Sequence, residues 1–217
     1  MERFNNIRRL FNLLETQENF GCSEEKWDIL EQNLNTKLPK RLRNYYLTLG
    51  KNVSINYTHN RLLKPDEEIG FSTDKYLIFY EENQGGVYWG IKEEDLLLDN
   101  PPVWGNYGNN KTPDWQLETK TVEDFFLLMA IYNGTLGGLQ YHANRLGSVA
   151  PRLVEEIKKN WKEITTISWE RQQFYTNDFD EGKNCTAIFI GTSHKEQFDS
   201  LLNFLKLDWS YVSYEDV

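Results

Sequence analysis

The chain has 217 residues, of which 14% are aromatic, and a net charge of −9 at pH 7. This length is typical of one large domain, or of one domain with an extension, and it allows a buried core without disulfides or a metal. The aromatic content excludes intrinsic disorder as the main state, and the acidic balance argues against a protein that binds duplex DNA or an anionic membrane.

The first fifty residues predict three helices. Phe4 begins an apolar stripe at helical spacing that ends at Leu14. Ser23 is placed to cap a second helix, which is followed by two glutamates that suit the positive end of a helix dipole. Pro39 is placed to begin a third helix and Gly50 to end it.

The pattern changes to that of β-structure after residue 50. Residues 53–57 alternate between apolar and polar, which predicts a half-buried strand. Two apolar runs, 76–80 and 87–91, flank a loop that contains two glycines, and together they predict a β-hairpin. Residues 99–104 contain two prolines and predict an extended segment, followed by a loop rich in Gly and Asn.

Thr121 and Asp124 resemble a capping box, and they predict a helix that ends at Asn133 and Gly134. Residues 136–147 show no clear period, so we predict a connection there and place the domain boundary at its end. The sequence thus predicts a first domain over 1–147 and a C-terminal extension over 148–217.

The extension predicts alternating helices and strands. Its helices begin near Pro151 and at a capping box over 193–196. Its strands are expected over 164–169, 186–190 and 209–214, and an acidic loop is expected over 178–181.

The negative charge is concentrated in one segment. Residues 66–99 contain ten Asp or Glu and two Lys, whereas residues 1–65 have an excess of basic residues. Two interpretations remain open: a solvated surface of no special function, or a surface that binds a basic partner.

The aromatic residues near this segment also allow two interpretations, because they can cap the core or contact a partner. The candidate partner-binding residues that we select from the acidic and aromatic positions are Glu81, Glu82, Trp89, Glu93, Glu94, Asp95, Trp104, Tyr107 and Trp115.

The chain contains none of the catalytic or metal-binding motifs that we searched for. Its three histidines stand in no zinc-binding arrangement, and the chain has neither a nucleophile elbow nor a Walker loop. Cys22 and Cys185 are too far apart in sequence to indicate a zinc site. We therefore expect no enzymatic activity, no catalytic residues, no metal and no cofactor, and we expect a cytoplasmic protein without a signal peptide or membrane span.

Several short motifs, in this order, resemble the SUKH superfamily of Smi/Knr-type proteins. Each motif is weak alone, and their order and spacing carry the resemblance. The matching segments are Leu34–Pro39, the tyrosine-containing helix Arg41–Tyr46 with Gly50 after it, Gly86–Ile91, Asp99–Val103 and Thr121–Phe126.

The resemblance implies an α+β fold, with N-terminal helices packed on a twisted, mostly antiparallel sheet and here a C-terminal α/β extension. It implies a protein-binding module that is not an enzyme. Many bacterial members resemble immunity proteins, which bind and neutralise a cognate toxin, often a nuclease and here expected to be basic. The alternative is a regulatory or scaffold protein that binds an endogenous partner. We expect a monomer or weak homodimer.

Overall fold

The computed structural model of the chain describes residues 2–14, 18–65, 67–109, 111–168, 175–176 and 187–214. These residues form an α+β fold whose strand pairs are antiparallel, as predicted. The chain divides into two compact units, Met1–Asn133 and Gly134–Val217. In the part that the structure describes, no helix has the length and apolar character needed to cross a membrane.

The first unit contains five helices and six strands within its described residues. The helices are α1 (Glu2–Leu10), α2 (Glu24–Leu34), α3 (Lys40–Leu49), α4 (Val53–Asn56) and α5 (Val122–Asn133). The strands are β1 (Arg61–Leu62), β2 (Gly70–Phe71), β3 (Tyr76–Glu81), β4 (Tyr88–Lys92), β5 (Val103–Asn106) and β6 (Trp115–Thr119).

The strands of the first unit form one sheet in the order β1-β3-β4-β5-β6, and β2 pairs with β3 as well. One face of this sheet packs against the core, and its residues Leu77, Phe79 and Ile91 are fully buried. Phe79 makes edge-to-face contacts with Phe125 and Phe126 of α5. The helices therefore cover one face of the sheet.

The described elements of the second unit are β7 (Tyr141–Leu146), α6 (Pro151–Asn160), β8 (Lys162–Glu163), β9 (Tyr175–Thr176), β10 (Ala187–Thr192), α7 (Lys195–Leu205) and β11 (Tyr211–Val212). Three of the strands form a smaller sheet in the order β10-β7-β11. The core of this unit contains Ala143, Phe198 and Val212.

The predicted hairpin is confirmed by the pairing of β3 with β4, and the helices predicted at Ser23, Pro39, Thr121 and Pro151 are confirmed as α2, α3, α5 and α6. At the start of α5, the Thr121 hydroxyl lies 2.8 Å from the Asp124 carboxylate and accepts the Asp124 N–H at 3.1 Å. This pair caps the helix, as the sequence indicated.

The prediction of a strand over 53–57 was wrong, because these residues include the short helix α4. The Asn52 side chain accepts the Ile55 N–H at 3.0 Å, which caps this helix. Asn56 is fully buried and hydrogen-bonds to the Tyr45 hydroxyl and to the Leu49 carbonyl. Side-chain hydrogen bonds of this kind compete successfully with a strand.

The connection predicted over 136–147 contains β7, which is the central strand of the second sheet. The predicted domain boundary after residue 147 assigns β7 to the first domain, whereas the structure divides the chain after Asn133. The strand carries Asn144 and Arg145 beside buried Ala143, so its sequence lacks strong apolar alternation.

Two further predictions in the extension were inaccurate. Residues 164–167 form a turn after the two-residue strand β8. At the start of α7, His194 is the N-cap and makes no side-chain cap hydrogen bond, so the predicted capping box at Ser193 is absent. The predicted acidic loop over 178–181 lies outside the described residues.

Candidate functional site

The sheet face opposite the helices of the first unit carries a row of polar and aromatic side chains. Directly paired residues of neighbouring strands project from the same face. The row crosses five strands and consists of Arg61, Glu81, Tyr88, Asn106 and Trp115.

A second row on the same face has a glycine near its middle. Gly90 lies between Ile78 of β3 and Trp104 of β5. A Cβ atom on Gly90 would lie 2.9 Å from the Leu77 carbonyl oxygen, so the backbones approach closely there. Gly90 therefore allows β3 and β4 to lie close together at this point, where the Ile78 side chain fills the adjacent space.

A cavity of about 600 Å³ opens on this face, a volume within the usual range of ligand-binding pockets. Its described lining includes the whole first row. The remaining lining residues are Leu63, Glu68, Phe71, Ser72, Thr73, Asp74, Ile78, Asn109 and Pro113. The cavity thus combines three carboxylates, one guanidinium and several aromatic rings.

Arg61 joins two of the carboxylates that line the cavity. Its Nη1 lies 2.6 Å from Glu68 Oε1, and its Nε donates to Glu81 Oε1 at 2.7 Å. The hydrogen bond to Glu68 is the main cause that raises the pKa of Arg61 above its usual value. The described lining contains three carboxylates and one guanidinium, so its net charge is negative.

Trp115 lies against Tyr76 at the edge of the cavity. The two rings stack with centroids 3.7 Å apart and planes within 7°. The Trp115 indole N–H also donates to the Asp74 carboxylate. Burial alone would raise the pKa of Asp74, but the hydrogen bonds from Ser72 and Trp115 outweigh it and lower that pKa. Asp74 is therefore ionised beside the ring.

Trp104 is on the same face, and the side chain of Lys92 lies over its ring. Lys92 Nζ lies 4.1 Å from the centroid of the Trp104 ring, within the range of a cation–π interaction. Glu94 lies 3.9 Å from the same ammonium group.

The predicted acidic residues Glu93, Glu94 and Asp95 form a 3-10 turn after β4. Glu93 pairs with Lys75 at 3.0 Å, and the Glu94 side chain is 78% exposed. Burial raises the pKa of Tyr76, and the charges of Asp74, Glu94 and Asp95 raise it further. The turn therefore adds negative potential near Tyr76, beside the cavity.

Glu82 has a structural role in the hairpin turn. Its Oε2 accepts the N–H groups of Gln84 at 2.9 Å and Gly86 at 3.1 Å. The carboxylate thus stabilises the turn at one end of the face.

Trp89 and Tyr107 do not line the cavity. Trp89 is 5% exposed and packs against Tyr80 and Phe125, so it belongs to the core and is not placed for direct contact with a partner. Its indole N–H and the Tyr107 hydroxyl both donate to Glu118 Oε2. Burial, and then the nearby Glu118 charge, raise the pKa of Tyr107 far above its usual range.

Sequence reasoning selected Glu81 and Trp115 of the first row and missed the others. The places of Tyr88 and Asn106 in this row can be assigned only when the β3–β4 register and the pairing of β4 with β5 are known. Arg61 gave no signal, because the two-residue strand β1 has no recognisable pattern, and Glu68 was noted only as one of the ten acidic residues of 66–99.

The described residues contain no group of three His, Cys, Asp or Glu side chains placed to hold a metal ion. The searches of protein-family models, of curated proteins and of solved structures found no match to this chain. The geometry of the open face is therefore the main basis for a functional proposal.

Proposed function

We propose that this chain is a protein-binding module without enzymatic activity, acting as a cytoplasmic immunity protein that binds and neutralises a cognate basic toxin of the nuclease type. The observation that carries the proposal is the cavity on the open sheet face, where Glu68, Asp74 and Glu81 lie beside aromatic rings. Such a surface is complementary to a basic one.

Charge supports the proposal beyond the cavity itself. Glu93 and Glu94 are exposed beside the same face and extend its negative potential. Negative potential around a binding surface accelerates the capture of a cationic partner. A nuclease must itself present positive charge to bind phosphates, so an acidic inhibitor can compete for that surface.

The aromatic side chains supply the contact area that charge alone does not. Tyr88 is 37% exposed on the first row, and Trp115 lines the cavity beside it. Tyrosine and tryptophan are frequent among the residues that dominate binding energy at interfaces. The motif order that resembles the SUKH superfamily agrees with the same proposal.

The direct test is to co-express the full chain with the toxin-like protein that this proposal expects to be encoded beside it. We expect the chain to protect the cells and to co-elute with the toxin domain on size exclusion. Cells that die, together with two proteins that elute separately, would contradict the proposal. A partner encoded elsewhere, with no toxin-like neighbour, would instead support the regulatory or scaffold alternative.

A further inference from the structure

We propose that the cavity receives an arginine side chain from the basic partner, with the guanidinium stacked on Trp115 and paired with Asp74. This inference rests on the proposed function, because it names the chemical group that enters the same face. It goes beyond a general attraction between opposite charges, since it distinguishes arginine from lysine.

The charge inside the cavity favours a cationic guest. The Arg61 guanidinium already forms hydrogen bonds with Glu68 and Glu81. It is therefore directed at these two carboxylates and does not pair with Asp74. Asp74 lies apart from that group, where it accepts hydrogen bonds from Ser72, from its own backbone N–H and from the Trp115 indole N–H. A carboxylate offers about four lone-pair positions, so Asp74 can accept one further N–H, from a guanidinium, and keep its bond to Trp115.

The ring arrangement favours a planar guest. Tyr76 stacks on Trp115 but is not among the described residues that line the cavity, whereas Trp115 is. The proposal places the guest on the side of the Trp115 ring that Tyr76 does not cover. The same sheet face already holds a cation over a tryptophan, since Lys92 lies over Trp104. The face thus contains one example of a cation over a tryptophan ring, although that cation is an ammonium group and does not stack.

Arginine fits this site better than lysine for two physical reasons. A guanidinium is flat, so it can stack on an indole, and its N–H groups form a fork that matches a carboxylate. An ammonium group is a compact, strongly hydrated charge that cannot stack. The cavity, with a ring and a carboxylate side by side, offers both partners of a guanidinium.

The test uses two matched peptides and the full chain. The probes are the acetylated, amidated peptides Gly-Arg-Gly-Arg-Gly and Gly-Lys-Gly-Lys-Gly, which have equal charge, and their dissociation constants are measured by calorimetry. We expect the arginine peptide to bind about 3- to 30-fold more tightly than the lysine peptide. Equal affinities, or no binding of the arginine peptide, would overturn the inference.

Variants locate the binding site. We expect Trp115→Leu to weaken the arginine peptide by about 3- to 30-fold and Asp74→Asn by about two- to fivefold. Tyr211→Leu is the matched control, because it removes a partly exposed aromatic ring from the other unit and should leave the affinity unchanged. Circular dichroism checks that each variant is folded. If Trp115→Leu does not fold, the affinity of Asp74→Asn for the arginine peptide tests the site by itself.

The outcomes separate this inference from the proposed function. Toxin protection that survives in both cavity variants, with unchanged peptide affinities, would overturn the arginine site and leave the immunity role standing. Selective binding of the arginine peptide that both variants weaken, without protection from the toxin, would support the site and contradict the immunity role.

Discussion

At the scale of single residues, Asn133 joins distant parts of the first unit. Its side-chain oxygen accepts the Asn60 N–H at 2.7 Å, and its amide nitrogen lies 2.7 Å from the Ile55 carbonyl and 3.1 Å from the Tyr80 hydroxyl. The residue is fully buried, so water cannot replace these bonds.

We expect Asn133→Ala to lower the free energy of unfolding by about 2–4 kcal/mol, because it leaves several buried polar groups without partners. Urea denaturation measures this change. Asn203→Ala, at an exposed position in α7, is the control and should change stability by about 0.5 kcal/mol or less. A loss at Asn133 as small as that of the control would contradict this role.

Glu31 makes stability depend on pH. Burial would raise its pKa, but the Leu38 N–H and Lys37 outweigh burial and lower the pKa below the reference value of 4.5. A lowered folded-state pKa means that the ionised carboxylate stabilises the fold above about pH 4.5 and that this contribution disappears as the pH falls through the folded-state pKa.

We therefore expect Glu31→Gln to destabilise the protein at pH 7 and to lose less stability than the wild type between pH 5 and pH 3. Urea denaturation at several pH values measures both. The exposed Glu67→Gln, outside any helix, is the control and should follow the wild-type curve. Parallel curves for wild type and Glu31→Gln would contradict the prediction.

Residue type alone did not separate contact residues from core residues. Trp89 and Trp115 both stand near acidic residues in the sequence, yet Trp89 is buried against Phe125 and Trp115 lines the cavity. The difference depends on which face of the sheet each residue occupies, and that depends on the strand register.

At the scale of elements, the register contains two irregularities that no sequence pattern revealed. The β3–β4 pairing shifts between Ile78 and Tyr80, and the β5–β6 pairing shifts between Val103 and Trp104. The first shift brings Glu81 to the face that also carries Ile78, although strict alternation would separate them. Apolar patterning was sufficient to predict the hairpin, but not the composition of its open face.

The hairpin turn offers a matched pair of glycines for a stability test. Gly85 has φ of +72°, whereas Gly86 does not adopt a positive φ, and a Cβ atom has at least 3.4 Å of space at either position. We expect Gly85→Ala to cost about 1 kcal/mol of unfolding free energy, because an L side chain is strained there. Gly86→Ala should cost clearly less, and equal losses in urea denaturation would contradict this difference.

At the scale of the whole molecule, the concentration of acidic residues between 66 and 99 becomes a local property of one unit. Glu93 and Glu94 lie in a turn beside the open face, and Glu68, Asp74 and Glu81 line its cavity. The distribution of charge along the sequence was sufficient to identify this acidic segment. Arg61 and Trp115 lie outside the segment in sequence, and only the fold brings them beside its carboxylates.

We expect the double variant Glu93→Gln and Glu94→Gln to bind the toxin domain with a several-fold slower association rate at low salt, while its dissociation rate changes little. The rate should also depend less on ionic strength than that of the wild type. Surface plasmon resonance measures these rates. Glu155→Gln and Glu156→Gln, on α6 of the second unit, form the control with the same charge change. An unchanged association rate would exclude the turn from electrostatic steering.

The central claim is that the acidic, aromatic face of the first sheet binds a basic toxin. Its most direct test is the dissociation constant between the full chain and the toxin domain, measured for the wild type, for the double variant Asp74→Asn with Trp115→Leu, and for Tyr211→Leu. We predict that the double variant binds at least about tenfold more weakly and that Tyr211→Leu binds like the wild type. Equal dissociation constants for all three proteins would contradict the claim.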